Sequence, residues 1–303
     1  MSFIINPFRF GGTGYVIPQS CRFNDDDSAK LTFTPASTGS TTTGTLSVWV
    51  KRCNLGTEQI ILDADNTSDT LFFNTSDKLV AYFAGGAKTL VTTQVFRDPA
   101  AWYHIVYRVD TTAGSADRLR LYVNGERITA FDTETQPTAS QTFSGFFKNA
   151  KVHTIGTRTV AKPLDAYLAE FVLIDGISSG PDSFGKFDVT GNWVPIDVSE
   201  LTFGTNGAWL DFHNAADLGL DVSGSFSSDI IDDTQTYSSN DESLGAASNA
   251  ADGSSGTYWS TVRRHINWNN HRPDLKEDLA HLVQDIKRRI CGIASAGVPL
   301  FSV

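Results

Sequence analysis

The stretch AWYHIVYRVDTTAGSADRLRLYVNG, Ala101–Gly125, contains two alternating segments separated by a small polar gap and ends in Asn-Gly. Tyr103, Ile105, Tyr107 and Val109 fall on one side of a chain of period two, and His104, Val106 and Arg108 fall on the other. The first set is predicted to face inward. TTAGSAD provides a flexible antiparallel connection to RLRLYVNG, and Asn124-Gly125 supplies the two positive-φ residues of a type I′ turn into ERITAF. Three successive strands with short connections predict a meander.

The same pattern extends in both directions. TLSVWVKR (Thr45–Arg52) alternates Leu46, Val48 and Val50 against Thr45, Ser47, Trp49 and Lys51. EQIILDAD, DTLFFNT, KLVAYFAGG, KTLVTTQVF, KVHTIGTR and AYLAEFVLIDG repeat the theme every 8 to 12 residues or so, the spacing of sandwiches and barrels, with Gly, Asn, Asp, Ser and Thr in the gaps. No helical period competes before about residue 212. The expected fold is all-β, a two-layer antiparallel jelly-roll sandwich.

Several motifs sharpen this expectation. The run AWYHIVYRVDTT…DRLRLYVNGERITAF, followed by IGTR…LDAYLAEFVLIDG, resembles a concanavalin A-like (laminin-G-type) lectin/glucanase domain. FNDDDSAKL (Phe23–Leu31), WVKR (Trp49–Arg52), RDPAAWYHIV (Arg97–Val106), FG…WVP (Phe184–Pro195) and GTNGAWLDF (Gly204–Phe212) follow in an order similar to one branch found in tailed-phage virion proteins. That resemblance spans roughly residues 20 to 225. It implies a virion structural protein made in the host cytoplasm, associated with a tail fibre or spike and touching host surface glycans. Alternatives are a capsid decoration or head-fibre protein and a glycan depolymerase. The implied partners are other virion proteins, further copies of the chain and host glycan.

Composition supports a globular chain with a sizeable core: 303 residues, 40% hydrophobic and 11% aromatic. A formal net charge of −10 argues against nucleic acid as a partner, because phosphate binding needs clustered Lys and Arg. The N-terminus shows no secretory leader pattern, and no segment has the roughly 20 apolar residues needed for membrane insertion. Cys21, Cys53 and Cys291 form neither a CxxC pair nor an even set, so no disulfide framework or zinc site is expected.

Four units are expected: an apolar arm (1–19), the jelly roll (20–228), a Ser/Gly-rich linker (229–262) and a helical segment (263–303). The arm carries Phe3, Ile4, Ile5, Phe8 and Phe10 before Gly11-Gly12. RPDLKEDLAHLVQDIKRRICG (Arg272–Gly292) has Pro and acids near its start, bases near its end, and Leu275, Leu279, Leu282, Val283, Ile286 and Ile290 on one stripe. Phe3, Ile5, Phe8, Phe10, Leu275, Leu279, Leu282 and Ile286 are therefore assembly candidates, covering either their own domain or a neighbouring subunit.

Chemistry is sparse. Glucanases of this fold class place carboxylates at i, i+2 and i+4 on one strand so that they face one groove, and no strand here does so. Glu170 and Asp175 are an odd number apart, which sends them to opposite faces of an unbroken strand. GxSxG, GxxxxGK[ST] and HExxH are absent, and His265, His271 and His281 lack metal-pair spacing. A non-enzyme is expected. No cofactor is required, although DADNTSD offers Asp63, Asp65, Asn66 and Asp69 as oxygen ligands for calcium, and NDDD (Asn24–Asp27) offers a second set. Both also suit solvated turns. Sugar binding calls for aromatic faces with polar neighbours, and the candidates are Trp49, Tyr82, Tyr107, Tyr122 and Trp209.

Overall fold

The structure, a computed structural model, describes residues 14–66, 68–158 and 162–224. The assembly candidates Phe3, Ile5, Phe8, Phe10, Leu275, Leu279, Leu282 and Ile286 lie outside the described residues, as do the linker, the C-terminal helix and Cys291.

Strands alternate between two antiparallel sheets. The first runs β1 (Cys21–Phe23), β13 (Ala166–Asp175), β3 (Thr43–Arg52), β8 (Tyr103–Asp110), β9 (Leu119–Val123) and β10 (Glu126–Arg127), with β16 (Ala208–Leu210) also pairing to β13. The second runs β11 (Phe131–Glu134), β7 (Lys88–Val95), β6 (Lys78–Phe83), β5 (Asp69–Phe73), β4 (Gln59–Ala64), β12 (His153–Ile155) and β2 (Leu31–Phe33). This is the expected all-β sandwich. The inward faces form one apolar core: Leu46, Val48 and Val50 from β3 and Ile105, Tyr107 and Val109 from β8 meet Leu71, Phe73, Leu79, Ala81 and Phe83 from the other layer. Burying each such large apolar side chain contributes about 1.5–3 kcal/mol.

The quoted stretch folds largely as read. Asn124 and Gly125 have φ of 49° and 83°, and the turn pairs Glu126 with Val123. The third strand of the meander ends after two residues, however. The chain then crosses layers, and Phe131–Glu134 pairs with β7 in the second sheet.

A second departure concerns the outer face of the first sheet, which is not left to solvent. After β13 the chain makes a 3-10 turn (Pro181–Ser183) and a two-stranded ribbon, β14 (Gly185–Phe187) with β15 (Trp193–Pro195). Phe184, Val198 and Phe203 from this segment bury Val106, Tyr122, Val172 and Ile174 in a second core. His104 and Val106, the side of β8 expected to face out, are both fully buried. A third cluster, Ile60, Phe72 and Val80 with Tyr82 and Val91, occupies the outer face of the second sheet.

Parity along β13 is broken by a bulge. The register with β3 shifts between Ala169 and Val172, and Glu170 has φ of 45°. Leu168 and Phe171 therefore both face the main core across an odd spacing.

Candidate functional site

The half-covered outer face of the first sheet gathers most of the polar chemistry. Ser47 and Trp49 of β3, Glu170 and Val172 of β13, and Phe184, Pro195, Ile196 and Val198 of the covering segment line one narrow cleft. Glu170 is only 4% exposed. Its Oε1 accepts a 2.8 Å hydrogen bond from the Tyr15 hydroxyl, and Oε2 has no partner among the described residues. Burial pushes the Glu170 carboxyl up to about 7. The nearby Tyr15 and Trp209 donors pull it down, and the Asp211 and Asp197 carboxylates push it further up. The Trp209 indole N–H lies near enough to favour the charged form yet falls outside hydrogen-bond geometry. The gap beside Glu170 does not admit a water.

Ser47 and His104 look at first like a nucleophile and its base, with Oγ and Nε2 2.8 Å apart. The remaining contacts assign the opposite polarity. Trp193 Nε1, which can only donate, bonds His104 Nδ1 at 2.9 Å. Burial lowers the imidazole to about 3, so the ring is neutral at neutral pH and its single proton sits on Nε2. His104 thus donates to Ser47 Oγ and is not placed to take the serine proton. The ring is further held by stacking on Trp49, with centroids 4.7 Å apart, and on Trp193. His153, the other buried histidine, shows the reverse tautomer: Nδ1 donates to the Lys151 carbonyl and Nε2 accepts from the Phe147 amide.

The proposed calcium ligands do not converge. In the β4–β5 hairpin Ala64 pairs with Asp69 and Asp63 with Thr70, so Asp63 and Asp69 leave on opposite faces. Asp63 accepts from Thr70 Oγ1 at 2.6 Å. Asp69 is buried and accepts four backbone amides, from Ala84, Ser144, Gly145 and Phe146, at 2.6–3.0 Å. It acts as an anchor for the 144–146 loop. Asp65 pairs with Lys151 at 2.6 Å, and Asn66 stands exposed in the turn at φ 53°. In the second acidic set Asn24 Nδ2 bonds Asp27, the geometry of a turn. No group of three His, Cys, Asp or Glu side chains suited to a metal occurs among the described residues.

The aromatic candidates separate in the same way. Tyr107 is a correction: it faces the sandwich core and is 1% exposed, because its side of β8 packs against the second sheet. Tyr122 is buried in the second core, and Trp209 stacks on Phe203 at 6.1 Å beneath the covering segment. Tyr82 lies edge-on to Phe72 on the other sheet. Trp49 is half-buried at the rim where the cover stops. Beyond that rim no described residue covers the outer face, with Tyr167 and Trp102 each 37% exposed. Sequence reasoning missed both. The available signal was that Tyr167 is an odd spacing from inward-facing Leu168 and that Trp102 shares the parity of His104, but only strand pairing shows that the two lie close together.

A family profile for the concanavalin A-like lectin/glucanases superfamily matches residues 24–179, just over half of the chain. The chain belongs to that superfamily. Among solved structures it is similar to a putative carbohydrate binding protein from Bacteroides ovatus, with 14% identity and a TM-score of 0.43 over 63% of this chain and 51% of that one. It is also similar to domains LG4-5 of the mouse laminin alpha1 chain, with 12% identity and a TM-score of 0.38 over 66% of this chain and 48% of that one. A heptameric SAP-like pentraxin from Limulus polyphemus aligns at 12% identity and a TM-score of 0.38, over 50% of this chain and 71% of that one. The chain thus spans about half the length of the Bacteroides and laminin chains. A search among curated proteins gave no match.

Proposed function

We propose that the protein is a non-catalytic, lectin-like glycan-binding component of a bacteriophage virion, associated with the tail fibre or spike and contacting host surface polysaccharide. Membership of the lectin/glucanase superfamily supports glycan as the ligand. The observation that carries the non-catalytic half is the sealing of Glu170. It is the described acid whose carboxyl is brought to about 7, where a general acid would titrate, yet it is closed in by Tyr15 and the 195–198 segment. The Ser47–His104 pair has the wrong polarity for a nucleophile, and Asp63, Asp69 and Asp175 spend their oxygens on internal donors. The virion assignment rests on the ordered motifs from FNDDDSAKL to GTNGAWLDF. Repeated copies on a particle would multiply weak single-site contacts.

The test uses the full chain with purified host surface polysaccharides, scoring binding and new reducing ends in the same samples. Binding without release is expected. Release of reducing ends that disappears in Glu170→Gln would overturn the non-catalytic reading, and failure to bind any host polysaccharide would overturn the glycan reading. Antibody labelling of intact particles tests position: label at the tail is expected, and label over the shell would favour capsid decoration.

A further inference from the structure

A cross-strand row occupies the part of the first sheet's outer face that the described residues leave uncovered. Arg22 on β1 pairs with Tyr167 on β13, and Tyr167 pairs with Lys51 on β3. Trp102 directly precedes β8, whose ladder with β3 ends at the pair Val50–Tyr103, so extending that register by one residue sets Trp102 beside Lys51. Residues paired in this way project from the same face, with successive strands about 4.8 Å apart. The row therefore reads Trp102, Lys51, Tyr167, Arg22 over about 14 Å, the footprint of an oligosaccharide and not of a single ring.

The members of the row differ in what they have left to offer. Arg22 is committed: it pairs with Asp165 and its guanidinium sits 5.3 Å from the centre of the Tyr167 ring. That contact holds the tyrosine and covers one face of its ring, and the 37% of the residue that stays exposed is what a ligand can reach. Trp102 and Tyr167 are each more than a third exposed, unlike the aromatics of the covered half of this sheet. Lys51 has no carboxylate or hydrogen-bond partner among the described residues, in a chain that carries ten more negative than positive charges. Two exposed aromatic side chains on either side of an unpaired ammonium are complementary to a sugar chain that stacks its C–H faces and bears a carboxylate between them.

We propose that this row is the glycan site and that its ligand is an acidic polysaccharide, with a uronate-type carboxylate on Lys51 and pyranose faces on Trp102 and Tyr167. This rests on the glycan-binding reading above and adds the place and the charge of the ligand. The site lies on the outer face of the first sheet, away from the apolar Ile60–Phe72–Val80 cluster of the second.

The experiment titrates the full chain with a panel of uronate-containing and sialate-containing polysaccharides, each also supplied after chemical reduction of its carboxyl groups to alcohols. At least one acidic member should bind about tenfold more tightly than its reduced form. Lys51→Met should abolish that difference, Lys51→Arg should retain most of it, and Trp102→Ala should weaken acidic and reduced forms alike. Circular dichroism of each variant should match the wild type, since neither position is buried. Equal binding of acidic and reduced forms, unaffected by Lys51→Met, would overturn this inference while leaving the glycan-binding reading standing. Absence of binding across the whole panel and across neutral glycans would remove both.

Discussion

Replacing Glu170 with glutamine should change how the protein's stability depends on pH. In the unfolded chain this carboxyl ionises near 4.5, whereas burial brings it to about 7 in the folded protein. Between those values the unfolded state loses the proton first, so stability falls as pH rises through the interval and levels off above it. Glutamine keeps the shape and an oxygen for the Tyr15 hydroxyl but has no proton to lose, so the variant lacks this slope. Measured as the gap between wild type and variant, the effect should amount to about 2.5 kcal/mol between roughly pH 5 and roughly pH 8.5, with the variant gaining as pH rises. Urea unfolding followed by tryptophan fluorescence at several pH values across the interval gives the gap directly. A gap constant to within about 0.5 kcal/mol would show that Glu170 ionises normally in the folded state. The carboxyl would then be in contact with water, and the sealing invoked against catalysis would be refuted.

Three further outcomes follow from the packing. Arg52 is fully buried, bonds the Phe96 carbonyl at 2.6 Å, pairs with Asp77 at 3.1 Å and lies over the Phe73 ring. Arg52→Met keeps much of that volume but leaves the Phe96 carbonyl without its donor, while Asp77 retains Arg97 and the Gly56 amide, and should cost about 2–3 kcal/mol in urea unfolding; a loss below about 1 kcal/mol would mean that the pair is solvated. Gly125→Ala should destabilise by about 2 kcal/mol, because φ there is +83° and the added Cβ would run into the Trp193 ring. A shift too small to resolve in the thermal midpoint would show that the ribbon moves aside readily. Tyr107→Phe removes a buried hydroxyl that has no partner among the described residues, so stability should hold or rise by up to about 1 kcal/mol and glycan affinity should not change. Loss of glycan binding in this variant would contradict the placement of Tyr107 in the core.

The main core was legible because its strands keep period two with one apolar side: Leu46, Val48 and Val50 on β3, and Tyr103 to Val109 on β8, face inward as their alternation implies. Val106 and His104 were misjudged because alternation says which residues share a side, not whether another layer covers that side. The covering segment from Phe184 to Phe203 has too few regular residues to announce itself as a layer. Glu170 was assigned by parity along an unbroken β13, and one bulged residue at positive φ removes the basis of that count. Asp63 and Asp69 appeared as a cluster in sequence, and the hairpin register separates them. Among the aromatic candidates, Trp49 kept a place at the rim of the cover, while Tyr167 and Trp102 become neighbours of Lys51 only once β13, β3 and β8 are set side by side. Pairing between strands more than a hundred residues apart is not written in either strand alone.

A crystal structure of the protein soaked with an acidic oligosaccharide chosen from the titration panel bears most directly on where and how it binds. Sugar density should lie across Trp102 and Tyr167, with a carboxylate within hydrogen-bond reach of Lys51 Nζ and the Glu170 carboxyl still enclosed. Density seated instead on the outer face of the second sheet, or reaching Glu170 through a displaced 195–198 segment, would contradict the account.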